Sequence, residues 1–206
     1  MNEQEARAYV DAIAVSRGTL DRLDCFVDLL AAHNRTQNLI AASTLPSIWT
    51  RHIADSAQLV PLASAFSGTW IDLGSGPGFP GLVVAAVSGR STDLIDERAK
   101  RAEFLRLAAT SLGVGAHVRV HQGRAERLHI PPASVISARA FAPLSRLFAV
   151  AASLARPETL WLLPKGRKAA VELEEARATW QGDMRLVPSV TDPDAAIVVA
   201  TDVRPR

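Results

Sequence analysis

From residue 69 onward, short apolar runs alternate with longer stretches in which apolar residues recur every three or four positions. Runs at 69–73, 92–96, 116–121, 134–138 and 159–163 predict strands, and the stretches at 80–88, 99–112, 143–155 and 168–180 predict helices. Two late apolar runs, near 185–190 and 196–201, predict two more strands and complete a sheet of seven. Alternation of this kind gives a mostly parallel sheet with helices on both faces. Before residue 69 the periodicity is helical. Residues 3–33 predict two helices, the second with Leu20, Leu23, Phe26, Val27 and Leu30 on one face, and a third element runs from Leu45 to Leu62 around Pro46 and Pro61. The expected organisation is a helical extension, residues 1–66, packed on the core of an α/β domain, residues 67–206. No internal repeat or low-complexity tract divides the chain.

Composition narrows the class. A 206-residue chain that is 48% hydrophobic suits one α/β domain with a modest extension. No apolar stretch reaches the ~18 residues of a membrane span, and the start of the chain, MNEQEARAYV, is polar and acidic. A cytoplasmic protein without membrane association is expected. The single cysteine, Cys25, excludes an internal disulfide and a cysteine-rich zinc site. Of the five histidines, His117 and His121 share one face of a strand, which separates them by about 13 Å, too far to share a metal. No metal is expected.

Charge is unevenly placed. Residues 1–68 carry five basic and seven acidic side chains, whereas residues 90–168 carry fourteen basic and six acidic ones. The second block suits a polyanionic partner. Arg98, Lys100, Arg101 and Arg106 punctuate an apolar helical stripe and read equally as a solvated face. Arg124, Arg139, Lys165, Arg167 and Lys168 lie beyond strand ends, where they would ring the mouth of a crevice.

The segment IDLGSGPGFPG, residues 71–81, gives that crevice a chemistry. Strand residues deliver Asp72, then Gly74, Gly76 and Gly78 alternate before an apolar helix. Only glycines let a backbone turn this tightly and approach a ligand this closely. The spacing differs from the G-x-G-x-x-G of dinucleotide sites, and Pro77 and Pro80 remove two N–H donors that a diphosphate would use. Ser75 and the lack of a G-K-[ST] exclude a P-loop. What remains resembles the first motif of S-adenosylmethionine-dependent methyltransferases, whose cofactor has no phosphate. Asp96 follows about twenty residues after Gly74, where a ribose-binding acid is expected. An acid just before a helix also serves as a cap, so both roles stand for Asp96. In the turn HQGRAERL, Ala125 and Glu126 would reach an adenine edge or open a helix.

Several strings occur in one order: Asn38-Leu39, TRHIADS (50–56), the glycine loop, LIDERAKRAEFLR (94–106), GRAE (123–126), SARAFAPL (137–144) and LPKGR (163–167). Together they resemble the RsmG (GidB) family of bacterial 16S rRNA guanine-N7 methyltransferases, over residues 20–170. R-H-x-x-D-S and R-A-F-A are the specific parts of the match. The resemblance implies a Rossmann-like class I S-adenosylmethionine-dependent fold and methyl transfer to N7 of guanine 527 in the 530 loop. It implies 16S rRNA or the small ribosomal subunit as partner; a monomer is expected, although the sequence does not fix the oligomeric state. It also implies cofactor contacts at Gly74, Phe79, Ala125, Glu126 and Arg139, beside the ribose role of Asp96 and the expected contact of Gly76 in the same loop. Ser75, where threonine is frequent in the family, and the C-terminal strand region depart from the family pattern.

Guanine N7 carries an unprotonated lone pair, so the reaction needs positioning rather than a general base. Cytosine C5 chemistry needs a cysteine nucleophile, and Cys25 falls inside a helical pattern far from every strand end. Arg139 and Lys165 are the expected catalytic pair flanking the base. Arg51, His52, Arg124 and Arg167 are the expected phosphate ligands. Arg51, His52 and Asp55 read equally well as an internal charged cluster tying the N-terminal helices to the sheet. A methyltransferase for another RNA, a small molecule or a protein, and a non-catalytic RNA-binding protein on the same fold, are the alternatives.

Overall fold

The computed structural model describes all 206 residues. Seven strands form one sheet: β1 (Trp70–Leu73), β2 (Thr92–Asp96), β3 (Val118–Gln122), β4 (Val135–Ala138), β5 (Leu160–Lys165), β6 (Trp180–Pro188) and β7 (Ala196–Pro205). Their order is β3-β2-β1-β4-β5-β7-β6, with β7 antiparallel to both of its neighbours and the other pairings parallel. The order reverses between β1 and β4. Open sheets of this kind bind ligands outside the carboxyl ends of the strands at such a point.

The period-two alternation of the central strands sorts side chains onto two faces. Ile71, Leu73, Ile95, Ile136, Trp161 and Leu163 point to one face. There they meet helices α7 (Leu144–Val150) and α8 (Ala169–Arg177). Phe148 packs edge-on against Trp161 at 5.2 Å, an arrangement worth about 0.5–1.5 kcal/mol beyond its burial. On the opposite face lie α5 (Gly81–Ser88) and α6 (Ala99–Ser111). Helix α5 is apolar all round because sheet and helices enclose it on every side. Gly81 opens it, and a Cβ there would come within 2.3 Å of the Leu94 side chain. A side chain at this position would push the helix off the sheet.

The N-terminal segment joins this second face. Helix α1 (Glu3–Ile13) and helix α2 (Thr19–Gln37) share a core with α5 and α6. Asn2 and Glu5 close a capping box at the start of α1. The stretch from Leu45 to Leu62, expected as one element, is instead part of a chain of short pieces: a 3₁₀ stretch over Ala42–Ser47, a wide π turn over Trp49–Ala54, and helices α3 (Asp55–Ala57) and α4 (Leu59–Leu62). Pro46 and Pro61 each remove a helical donor, so no single helix runs through. The Glu3 carboxylate accepts the N–H groups of Trp49 at 3.0 Å and Thr50 at 2.8 Å. It thereby anchors the turn that carries Arg51 and His52.

Other boundaries also differ from expectation. Helix α2 runs to Gln37, α7 ends at Val150 before a single 3₁₀ turn, and β6 begins at Trp180 rather than near 185. No helix is long and apolar enough to cross a membrane.

Candidate functional site

Two cavities open side by side at the carboxyl ends of β1, β2, β4 and β5. The first, about 380 Å³, is lined by Gly74, Asp96, Ala125, Glu126, Arg146 and Phe141, among others. The second, about 590 Å³, lies beyond Phe141 and is lined by Arg51, His52, Asp55, Arg139, Lys165 and Glu172, with the loop that precedes β7. Phe141 borders both.

The first cavity is built by the glycine loop. Gly74 adopts φ +64, and a Cβ there would sit 2.5 Å from the Phe141 ring, so only glycine fits without displacing the aromatic. Ser75 N–H donates to the Ile95 carbonyl at 3.0 Å and holds the loop against β2. Gly76 N–H donates to Asp96 Oδ2 at 3.0 Å, while Arg98 N–H donates to Oδ1 at 2.9 Å. Asp96 is thus buried on the cavity wall, with Arg101 3.7 Å away; it braces the turn before α6 through the Arg98 N–H without capping the helix, and it lines the ligand space. Ala125 is buried and Glu126 exposed where the β3 turn meets this space. Gly76 and Phe79 do not line the cavity. Phe79 lies in the core, with the His52 ring stacked 4.9 Å away and the Arg139 guanidinium 5.2 Å from its centroid.

Beneath the loop runs a buried polar chain. The Trp70 indole N–H donates to Ser137 Oγ at 2.8 Å, Ser137 donates to Asp72 Oδ1 at 2.7 Å, and Gly81 N–H donates to Asp72 Oδ2 at 3.1 Å. Asp72 is fully buried, and burial pushes its carboxyl up to about 6 even though these donors pull the other way. Asp72 therefore fixes the first turn of α5 from below and takes no part in either cavity.

The second cavity is organised around Arg139. Its Nη1 donates to Asp55 Oδ2 at 3.1 Å and to the Arg51 carbonyl at 3.2 Å, and its Nη2 donates to His52 Nδ1 at 3.0 Å. Because Nδ1 accepts, the proton of this imidazole sits on Nε2, which faces Thr44 Oγ1 at 2.8 Å. Burial, together with the Arg139 and Arg51 charges, lowers His52 to about 3. His52 is accordingly a neutral ring with both nitrogens engaged and has no charge to offer a phosphate. Asp55 Oδ1 accepts from Gln58 Nε2 at 2.9 Å and Thr191 Oγ1 at 3.1 Å. Gln58 Oε1 accepts Val190 N–H at 2.9 Å, so the loop before β7 is tied to the same cluster.

Lys165 is held at the end of β5, donating to the Ala142 carbonyl at 2.9 Å and to Glu172 Oε2 at 2.8 Å. Arg51 pairs with Asp192 at 3.3 Å, Arg124 with Glu97 at 3.3 Å and Arg167 with Asp194 at 2.8 Å, all on the surface. Of the basic residues expected at the site, Arg51, Arg139 and Lys165 converge on the second cavity and Arg124 on the first, whereas Arg167 borders neither. Phe141 and Glu172 were not expected there. The R-A-F-A string marks the first of these, whereas a glutamate within a helix carries no sequence signal. Ala140, between Arg139 and Phe141, has φ +50, a left-handed conformation costing a non-glycine residue about 1 kcal/mol. No three metal-ligating side chains gather anywhere.

Known proteins match this chain along most or all of its length. A family model described as rRNA small subunit methyltransferase G matches residues 19–196. The ribosomal RNA small subunit methyltransferase G of Rhizorhabdus wittichii is 54% identical, with 100% of this chain and 95% of the relative covered. The protein of the same name from Zymomonas mobilis subsp. mobilis is 46% identical over 100% of this chain and 96% of its own length. Among solved structures, the O-methyltransferase from Bacillus cereus in complex with SAH superposes with a TM-score of 0.62 at 14% identity, covering 94% of this chain and 96% of that one. The RNA methyltransferase from Salinibacter ruber in complex with S-adenosyl-L-homocysteine superposes with a TM-score of 0.54 at 20% identity, covering 73% and 89%. The fold is the Rossmann-like class I methyltransferase fold. With a family match that spans most of the sequence and full-length relatives at 54% and 46% identity, the chain belongs to the rRNA small subunit methyltransferase G family.

Proposed function

We propose that this protein transfers a methyl group from S-adenosylmethionine to N7 of guanine 527 in the 530 loop of 16S rRNA, presented free or in the small subunit. The observation that carries the reading is the pair of adjoining cavities that share the 140–142 segment, with Phe141 at its centre, one floored by a glycine loop and a carboxylate, the other rimmed by Arg139 and Lys165. The first cavity fits the cofactor. The bare Gly74 backbone admits a close ligand, Asp96 offers its carboxylate to ribose hydroxyls, and Ala125 with Glu126 meets an adenine edge. Bound there, the cofactor supplies an electrophilic methyl group.

The residues of this chain supply position and charge. Guanine N7 needs no base, so holding it in line accounts for the catalysis, an effect worth up to about 7–11 kcal/mol. Lys165 donates to O6 and leaves N7 free. Arg139, fixed by Asp55 and His52, borders the space between cofactor and base. Arg51, Arg124 and Arg167 remain for phosphates, each paired only on the surface, where such pairs are weak and exchange readily. Residues 1–66 act as an extension that delivers Arg51 and Asp55 to the acceptor side.

The test is transfer of labelled methyl from S-adenosylmethionine to 16S rRNA, or to small subunits, from cells lacking this gene, mapped by cleavage at N7-methylguanine. Label confined to the 530 loop is the expected result. Cofactor binding without transfer to either form would send the search to another acceptor.

A further inference from the structure

We propose that Glu172, acting with Lys165, reads the Watson–Crick edge of the acceptor base and selects guanine. This rests on the reading of the second cavity as the place where guanine presents N7.

Three carboxylates face that cavity: Asp55, Asp192 and Glu172. Asp55 has both oxygens taken, by Arg139 on one side and by Gln58 and Thr191 on the other. Asp192 spends one oxygen on Arg51 and the other on the N–H of Asp194. Glu172 is different. Its Oε2 accepts from Lys165 at 2.8 Å, and its Oε1 has no partner. The Glu172 side chain is 27% exposed and that of Lys165 11%, so the pair sits at the cavity wall rather than in open solvent. An ammonium has three donors, and Lys165 uses one on Ala142 and one on Glu172, leaving one for a ligand.

The pair therefore presents, in a row, one donor and two acceptors: Nζ, Oε2 and Oε1. The edge of guanine presents the complement in the same order: the O6 acceptor, the N1–H donor and the N2 amino donor. A carboxylate spans two adjacent N–H groups as it does in a forked pair with arginine. N7 lies on the far side of O6 and is left unengaged, as methylation requires. Adenine would set its amino group against the ammonium and its N1 lone pair against the carboxylate, and cytosine likewise meets both with the wrong polarity. Uracil satisfies the first two positions and fails at the third. Discrimination comes from these mismatches as much as from the matches.

The experiment compares guanosine with inosine at the acceptor position of 16S rRNA assembled by splinted ligation. Inosine keeps O6, N1–H and N7 and lacks only the N2 amino group. Wild-type protein is expected to prefer guanosine by about 10- to 100-fold in kcat/KM, the range for a hydrogen bond to a charged group. Glu172→Gln is expected to lower transfer to guanosine and bring the ratio close to one, because an amide offers one acceptor and one donor. A purely supporting role would depress both substrates equally and leave the ratio alone. An unchanged ratio in Glu172→Gln, or no preference in wild type, overturns the proposal. Absence of wild-type transfer to the guanosine RNA would instead overturn the reading of the acceptor. Should Glu172→Gln fail to fold, Glu172→Asp withdraws the carboxylate by one methylene. The ratio should again fall, and an unchanged one counts against the proposal.

Discussion

Arg139 Nη1 lies 3.1 Å from Asp55 Oδ2, joining two residues 84 positions apart. Thr191 and Gln58 already fix the Asp55 carboxylate through its other oxygen, so the guanidinium docks onto an acceptor that cannot swing away. Asp55→Asn should release Arg139 and the loop before β7 together. Urea unfolding should show a loss of about 1–3 kcal/mol, nearer the lower figure because the pair is partly exposed. Transfer to rRNA should fall more steeply than stability does. A variant with full activity would show that Arg139 needs no anchor.

Lys165→Ala removes the donor proposed for O6 and leaves the lining of the first cavity intact. Turnover should drop, and titration calorimetry with S-adenosylmethionine should give wild-type affinity. Unchanged turnover would remove Lys165 from the site.

Gly74→Ala should weaken cofactor binding for two separable reasons. One is the cost of a positive φ, about 1 kcal/mol. The other is the clash of the new methyl with the Phe141 ring. Adding Phe141→Ala relieves the second and not the first, so the double variant should regain part of the lost affinity. If it regains none, Phe141 does not limit that cavity.

Two buried groups tilt the pH dependence of folding in opposite directions. Asp72, raised from 3.8 to about 6, stays protonated in the folded chain where the unfolded chain is ionised. Its contribution is therefore present below pH 3.8 and is lost as pH rises through about 6. His52, lowered from 6.5 to about 3, refuses a proton that the unfolded chain accepts. Its contribution is present above 6.5 and is lost as pH falls toward about 3. Between pH 4 and 6 the slopes partly cancel. Asp72→Asn should lose stability faster than wild type on acidification across that window, by up to about 3 kcal/mol for a shift of two units. His52→Gln should show the reverse. Asp93, held low by Arg119 and His121 against its burial, titrates alike in all three proteins and drops out of the comparison. Denaturant midpoints at pH 4, 5 and 6 decide the matter, and parallel curves would contradict it.

Helix α5 is legible because it is a nearly continuous apolar run, and the central strands because short segments with apolar residues alternate with helical patterns between turn residues. Strand β6 was read late because it lies at the sheet edge. Trp180 packs on the core, but Gln181, Gly182 and Asp183 after it are not apolar, and the bulge there breaks any alternation. The glycine loop declared the first cavity because a glycine requirement is local: Gly74 can be inferred from its neighbours alone. The second cavity could not be assembled the same way. Arg139, Asp55, Thr191 and Glu172 meet only through tertiary contacts, and a charged residue reads alike whether it faces solvent or a partner 84 or 136 positions away. The sequence left His52 equally open as a phosphate ligand and as a member of an internal cluster. Its acceptor nitrogen facing Arg139 is visible only once the chain is folded.

Strand β7 runs antiparallel to β5, with Ala196 opposite Lys165, so the segment 189–195 is set down at the carboxyl end of the parallel strands although it belongs to the last hairpin. The first cavity is framed by the loops after β1, β2 and β3 together with residues 140–150 after β4. The second cavity thus draws on both ends of the chain, from Thr44 to Ala195, whereas the first uses none of the last hairpin. Lengthening or shortening the 189–195 segment should reshape which nucleic-acid surface is admitted and leave the grip on the methyl donor untouched. Substrate range and cofactor chemistry can then drift at separate rates within one scaffold.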